Sequence, residues 1–336
     1  MVMFVLLTLI GFVELERQLG EVGRGGYTLA GAFAYIALVL PRFAYEVFPV
    51  TALLGSLLGL GAMANHSELT AMRAAGVSVA RIVWAAMKAG LLLMLAALLV
   101  GELLAPATEQ AAQQMRAEAI SGQITLKSRT GFWTRDGRAF INIRSILPDA
   151  ELGDIYIYEY DDQQRLKWAS HAERARHQGD HWVLENIRQS EFLPEEVRTR
   201  TLRRAVWKSF LDPALVDMLM VDPNVLPLWD LYRYITFLQE NGQQAAEYEV
   251  AFWGKIVTPL VVLVMLVLAI PFVFGSLRTA GIGQRVFAGA LVGVGFLVIN
   301  KAFAQMAVVY QLNPLFAAAF PGVACLGVAL WALRRV

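Results

Sequence analysis

Hydrophobic positions gather into five long stretches, residues 36–64, 79–104, 252–274, 286–304 and 315–333, with polar chain between them. A hydrocarbon layer of about 30 Å takes about 20 helical residues, so each stretch predicts a membrane-crossing helix. A sixth run, residues 1–13, falls short of that length and reads as the outer part of a truncated first helix continuing through "ELERQL". A cleaved secretory signal would need a basic start and a small-residue cleavage site, and "MVMFVLLTLIGFVELE" has neither.

The long polar segment between the third and fourth helices, residues 106–247, has a different period for most of its length. "GFWTRDGRAFINI" is two alternating runs around Asp136-Gly137, a hairpin signal, and "GDIYIYEYDDQQRLKWAS" alternates around a polar turn. "HQGDHWVLENI" and "RTRTLRRAVWKSF" extend the pattern, predicting many short antiparallel strands in a sandwich or jelly roll. After Pro223 and Pro227, "LWDLYRYITFLQENG" returns to helical spacing and ends at Gly242, with Trp229, Tyr232 and Tyr234 suited to a membrane interface. The expected fold is a polytopic α-helical membrane protein of six transmembrane helices, the first truncated, with an inserted all-β domain. Residues 1–105 hold helices one to three, 106–227 the β domain, and 228–336 the interfacial helix and the last three spans.

"SELTAMRAAGVS", residues 67–78, is too polar to cross a membrane and longer than a minimal turn. Asn65 or Ser67 is placed to cap a short helix, Glu68 sits near its N-terminus where negative charge is favoured, and Gly76 is placed to close it. Leu69, Met72 and Gly76 share a narrow face, flanked by the small Ala74 and Ala75. Two readings stand for such a helix on the membrane surface: a connector between two spans, or a knob for a partner.

Charge sets the orientation. Arg73, Arg81 and Lys88, then Arg278 and Arg285, then Arg334 and Arg335 fall at alternate span ends with few acids, which places those ends in the cytoplasm. The β domain then lies outside, in the periplasm of a bacterium with an outer membrane. Of the 336 residues, 57% are hydrophobic and 17% charged, mean hydropathy is +0.50 and net charge +1. Soluble domains carry about a quarter charged residues, so the balance excludes an ordinary soluble domain, and there is no basic field to draw nucleic acid. The single Cys325 excludes an intrachain disulfide and a cysteine-rich metal site.

Catalytic chemistry is not indicated. Gly254-Lys255 is followed by Ile256 and lacks the upstream glycine of a phosphate cradle, so any ATP is bound by a partner. His177 and His181 flank a Gly-Asp turn without the other ligands of a metal site. No catalytic or metal-binding residue and no cofactor of this chain is expected. Glu102 lies inside "LLVGELLAP", where a carboxylate costs on the order of 3 kcal/mol and faces a partner or cavity, so a structural or gating pair is expected. Gly55/Gly59 and Gly289/Gly293 have small-xxx-small spacing for close helix packing, within the chain or against another subunit.

"FPVTALLGSLLGLGAMANHSELTAMRAAGVSVARIVWAAMK", followed by "GELLAP" and later "FVFGSLR", closely resembles the LptF/LptG family, the permeases of the ABC transporter that extracts lipopolysaccharide from the inner membrane. The wording is closer to the LptG branch than to the LptF branch, which shares the architecture. The rival from another class is a membrane-anchored periplasmic scaffold with no transport role. The resemblance implies that residues 67–76 are a coupling helix seated in a groove of an LptB-like ATPase, with Ser67, Glu68, Leu69, Met72, Arg73 and Gly76 at the joint. It also implies a paralogous LptF-like permease, two copies of the ATPase holding ATP and Mg, an LptC-like single-span protein, an LptA-like periplasmic bridge, and a β-jelly roll for the external domain.

A cavity for such a lipid needs cations at the depth of its phosphates and apolar walls below. Arg42 and Arg116 match basic family positions, and the planar guanidinium holds phosphate oxygens in pairs. Lys301 lies 16 residues beyond Arg285, roughly 24 Å along a helix, in the outer leaflet, as a phosphate ligand or a snorkelling side chain. Phe43, Phe48 and Phe296 are candidate walls for acyl chains, and Glu46 is placed to pair with Arg42. Relatives carry further N-terminal residues and lysines at the outer end of the first helix, where this chain has Glu14, Gly20 and Glu21.

Overall fold

The structure is a computed structural model and describes residues 1–121, 132–136, 138–147, 151–161, 163–178, 181–193, 195–207, 223–240, 242–274 and 281–334. Helix α1 (Val2–Leu19) packs along α2 (Leu29–Asn65), and a short helix α3 (Glu68–Ala74) follows. Next, α4 (Val79–Leu99) passes through a π-helical turn, Val100–Leu104, straight into α5 (Ala105–Ser121). After the strands come α6 (Leu228–Glu240), α7 (Ala246–Phe274), α8 (Ile282–Tyr310) and α9 (Pro314–Leu333). Among the described residues five helical stretches, α4 with α5 counting as one, are long and apolar enough to cross a membrane. The α1 helix carries Glu14, Glu16 and Arg17 near its end and is not among the five.

Several helix starts follow directly from side chains. Thr28, Ser78 and Asn313 each accept a hydrogen bond from the backbone N–H three residues on, satisfying a donor the helix leaves open. The π turn has a local cause as well. Pro106 has no N–H to offer the preceding turn, and the widened turn, closed by Ala105 N–H to the Val100 carbonyl, absorbs the irregularity without breaking the helix. The helix therefore runs on to Ser121, and the first described strand starts at Phe132.

Strands β1 (Phe132–Asp136), β2 (Ala139–Ile146), β3 (Leu152–Tyr160), β4 (Leu166–Gln178), β5 (His181–Phe192) and β6 (Val197–Trp207) form one antiparallel sheet in sequence order. Phe132 pairs with Ile143 and Asp136 with Ala139, which is the predicted hairpin, although Gly137 itself lies outside the described residues. The all-β insertion is as expected, but β4, β5 and β6 span 13, 12 and 11 residues where short strands were expected. Every described strand neighbours its sequence neighbour, as in a meander. Alternation buries Ile141, Ile143, Ile155, Ile157, Leu184 and Trp182 on one face, and Phe237 of α6 packs against that cluster.

In the helical part α7 is the central span, and α4, α8 and α9 turn rows of Leu, Val and Phe outward. Tight crossings use glycine. A Cβ on Gly289 would lie 2.5 Å from Leu57, and one on Gly293 2.5 Å from Val50, so α8 presses directly on α2 there. Gly55 and Gly59 show the contrary result: a Cβ at either meets nothing within 4 Å. Their small-residue spacing packs no helix among the described residues, because they point away from the side of α2 that meets α8. Tyr234 also departs from expectation, being buried in α6 beside Phe237 and Tyr248, while Trp229 and Tyr232 are exposed. Its position on the α6 face that docks on α7 decides this.

Candidate functional site

A cavity of about 780 Å³ opens between α2, the π turn, α7, α8 and α9. Apolar walls come from Val47, Val257, Val261, Phe296 and Val308, and the polar lining includes Arg42, Glu46, Lys255, Asn300, Lys301 and Gln305. It lies nearer the sheet end of the bundle. There the loop between α1 and α2 is tied to α5 by Gly26 N–H to the Ala119 carbonyl at 2.6 Å. Gly25 adopts φ +57 at that crossing, and a Cβ on it would overlap the Ile120 carbonyl.

Arg42 is held between two carboxylates. Its Nε donates to Glu46 Oε1 at 3.1 Å and its Nη1 to Glu109 Oε1 at 3.3 Å. Glu109 is almost wholly buried, its Oε1 also accepts from Gln113 Nε2 at 2.9 Å, and its Oε2 has no partner among the described residues. Glu46 is the more accessible of the two, with 37% of its side chain exposed against 2% for Glu109, and it lines the cavity. Arg116 stands elsewhere, 4.0 Å from Glu21 and with its guanidinium 5.6 Å from the Tyr35 ring centroid. It is not part of the cavity lining. Glu14 and Glu21 have partners too: Glu14 takes Gln18 and Arg17, and Glu21 takes Arg24 as well as Arg116. Gln18 in turn accepts from the Tyr27 hydroxyl at 3.1 Å, and burial pushes the pKa of that hydroxyl up.

Lys255, in the cavity lining, belongs to an ion pair between helices. Lys255 Nζ of α7 donates to Glu102 Oε1 at 3.1 Å and to the Gly101 carbonyl at 3.0 Å. Glu102 Oε2 accepts the backbone N–H of Leu228, the first residue of α6, at 2.9 Å. Glu102 therefore joins three elements: the π turn, the central span and the helix that follows the sheet. Its negative charge also sits at the positive end of the α6 dipole. Tyr45 closes the site by lying on Gly101, where a Cβ would come within 2.5 Å of its ring.

At the far end of α2, residue Arg285 of α8 is buried. It donates from Nη1 to the Gly61 carbonyl at 2.6 Å and from Nη2 to Asn65 Oδ1 at 2.9 Å. A Cβ on Gly61 would lie 2.6 Å from that guanidinium, so glycine is the residue that admits it. The clamp stands immediately before α3. Leu69 is buried in the core shared by α2, α7 and α8, whereas Glu68, Met72 and Arg73 are exposed. The C-terminus of α3 closes as a two-bond cap: Val77 N–H reaches the Met72 carbonyl, Gly76 N–H reaches the Arg73 carbonyl, and Gly76 takes φ +87.

The family described as lipopolysaccharide export system permease LptF/LptG matches residues 1–335. The chain belongs to the LptF/LptG family. Among its relatives, the Lipopolysaccharide export system permease protein LptG of Haemophilus influenzae is 36% identical over 335 residues, 98% of this chain and 94% of the relative. The protein of the same name from Escherichia coli K12 is 34% identical over 338 residues, 100% and 94%.

For an LptF/LptG permease, the structure brings together only part of the expected site. Arg42, Phe296 and Lys301 line the cavity. Phe43 packs instead on Tyr35, Val39 and Ala112, and Phe48 on Ala52, Ala97 and Val262, so both fill helix contacts. In α3, Leu69 faces inward and anchors the helix, leaving Glu68, Met72 and Arg73 to the outside. Neither expected N-cap forms. Ser67 takes φ 59, in the left-handed region, with no side-chain cap bond, and the Asn65 side chain is engaged by Arg285. Arg285, one of the basic residues that set the expected orientation, is also an interior clamp. Lys255 and Glu109 were missed as site residues. The signal for Lys255 was present: one lysine in an apolar span and one glutamate in another are each too costly to bury alone.

Proposed function

We propose that this lipopolysaccharide export permease is the LptG-type half of a two-permease ABC transporter in the inner membrane of a Gram-negative bacterium. Its cavity receives the lipid from the outer leaflet, with Arg42 and Lys301 for phosphate and the valines and Phe296 for acyl chains. The sheet lies in the periplasm beside an LptC-like protein and an LptA-like bridge. An LptB-like ATPase dimer binds ATP and Mg and presses on residues 67–76. Both relatives, at 34% and 36% identity, are named LptG, which favours this branch. An LptF-like paralogue supplies the other half, and copurification with a second, different permease tests that assignment.

One observation carries the mechanical reading. Helix α2 extends from Arg42 in the cavity wall to α3, and the Arg285 clamp ties its α3 end to α8, which carries Phe296 and Lys301 into the same cavity. Force on α3 thus crosses only the two-residue turn His66–Ser67 before it reaches two walls of the chamber through 37- and 29-residue helices. Nucleotide binding does work on the cavity only to the extent that the ATPase prefers its closed state. The test is Glu68→Arg in the assembled complex. ATP-driven lipid release should fall by an order of magnitude or more, through loss of assembly or of coupling, with the chain itself still folded. Unchanged release and assembly would overturn the coupling role.

A further inference from the structure

We infer that the chamber bends at one level, where α2, the joined α4–α5 helix and α7 are each interrupted by proline, and that Tyr45 is the positioning residue of this hinge. The inference deepens the reading of nucleotide-driven closure and rests on it. Pro259 has no N–H for the Lys255 carbonyl four residues back, and Pro49 has none for the Tyr45 carbonyl. In the π turn the Ala105 N–H goes to the Val100 carbonyl, so a bond of the same spacing to the Gly101 carbonyl falls to Pro106, which has no donor.

Carbonyls opened in this way inside a membrane need other partners, and here neighbouring helices supply them. The Tyr45 hydroxyl of α2 donates to the Lys255 carbonyl of α7 at 3.3 Å, and Lys255 Nζ donates to the Gly101 carbonyl of the π turn at 3.0 Å. The Tyr45 ring lies against Gly101, where a Cβ would come within 2.5 Å of it, so the three interruptions meet at one level. Glu102 hangs α6 on that level through Lys255 and the Leu228 N–H.

Towards α3 the bundle is stiff. One core, with Leu53, Leu57, Leu69, Ile82, Met265 and Val273 in it, packs α2, α3, α4 and α7 together, and α8 presses on α2 at Gly289 and Gly293. Helix α8, a further wall of the cavity, contains no proline. Bending an intact helix strains its backbone bonds, but at the Tyr45 level those bonds are already replaced by side-chain bonds, whose flexible arms follow a motion. The sheet-end segments therefore turn about this level against an unbroken α8. A bend of about 10–15° carries Phe33, roughly 18 Å farther along α2, through about 3–5 Å.

The experiment is double electron–electron resonance on the assembled complex in nanodiscs, with and without ATP and vanadate, using nitroxides on introduced cysteines and Cys325→Ala. A pair at the exposed Phe33 and Tyr310 spans the sheet end, and a pair at the exposed Trp84 and Phe287 spans the α3 end. Nucleotide should change the first distance by about 3–5 Å and the second by less than about 1 Å. Pro49→Ala with Pro259→Ala restores both backbone donors. It should at least halve the sheet-end change and slow lipid release about 3- to 10-fold while ATP hydrolysis continues. Should the double variant not assemble, Pro259→Ala alone should reduce the sheet-end change by about a third. Tyr45→Phe removes only the hydroxyl and should lower lipid released per ATP about 2-fold. Equal changes in both pairs, or a sheet-end change left intact by the proline variants, overturn the hinge and leave the permease reading standing. Lipid released per ATP unchanged by Tyr45→Phe overturns the positioning role. If nucleotide changes neither distance, nucleotide-driven closure of the cavity falls together with the hinge.

Discussion

Replacing Lys255 by Met tests the joint beneath the cavity. At 3.1 Å the Lys255–Glu102 pair is worth about 5 kcal/mol of gross attraction at an effective dielectric constant of about 20, most of it offset by desolvation of both groups. Removing one partner of a buried pair costs about 3–5 kcal/mol because the other charge stays behind. Here Glu102 keeps the Leu228 N–H and has 21% of its side chain exposed, which brings the expected cost to about 2–3 kcal/mol. Glu102→Gln should cost a similar amount, since it strands the Lys255 ammonium, only 3% exposed, on the Gly101 carbonyl. The double variant leaves no buried charge and should cost no more than about 1 kcal/mol, giving a coupling energy of about 3–5 kcal/mol. Equilibrium unfolding in mixed micelles, titrated with SDS, supplies all four free energies. Additive single costs, or a Lys255→Met loss below about 0.5 kcal/mol, would refute the pair as the joint of α6 and α7.

Gly61→Ala should destabilise the same preparation by about 1–3 kcal/mol by driving a methyl into the Arg285 guanidinium, whereas Gly55→Ala should be neutral or stabilising by up to about 1 kcal/mol, its Cβ meeting nothing; equal effects would refute the clamp. Asp161 closes the turn between β3 and β4, and the Arg165 backbone N–H, with its guanidinium and the Gln163 N–H, holds its carboxyl below the usual range. A lowered folded-state pKa contributes stability above the ordinary carboxylate pKa and loses it as pH falls through the lowered one. Hydrogen exchange at Arg165, corrected for intrinsic rate, should therefore stay protected down to about pH 4 and open in stronger acid, a step that Asp161→Asn removes.

The spans and the sheet were legible in the chain because each is a repeating pattern. Apolar runs of bilayer length and period-two alternation survive whatever packs against them, and five spans and six strands appear where those patterns lie. Local chemistry was legible too when it depended on a few adjacent residues, as with Gly76 closing α3 in a left-handed conformation. Glu102 announced that it needed a partner, since an isolated charge in a membrane is too costly, and family membership followed from the wording of residues 48–106.

Facing is what the sequence did not contain. Gly55/Gly59 and Gly289/Gly293 have the same spacing, yet among the described residues only the second pair meets a neighbour, because which side of a helix is covered depends on helices far away in the chain. Leu69 and Met72 lie one turn apart in a short helix, and the core beneath α3 takes the first and leaves the second outside. The same holds for charge: a tally along the chain puts Arg285 at a span end, but only the packed helices set its guanidinium in the gap left by Gly61. Lys255 and Glu102 are separated by 153 positions and Arg42 and Glu109 by 67, so no window along the sequence joins either pair. Composition and periodicity decide what must be buried; only the packed bundle decides beside what.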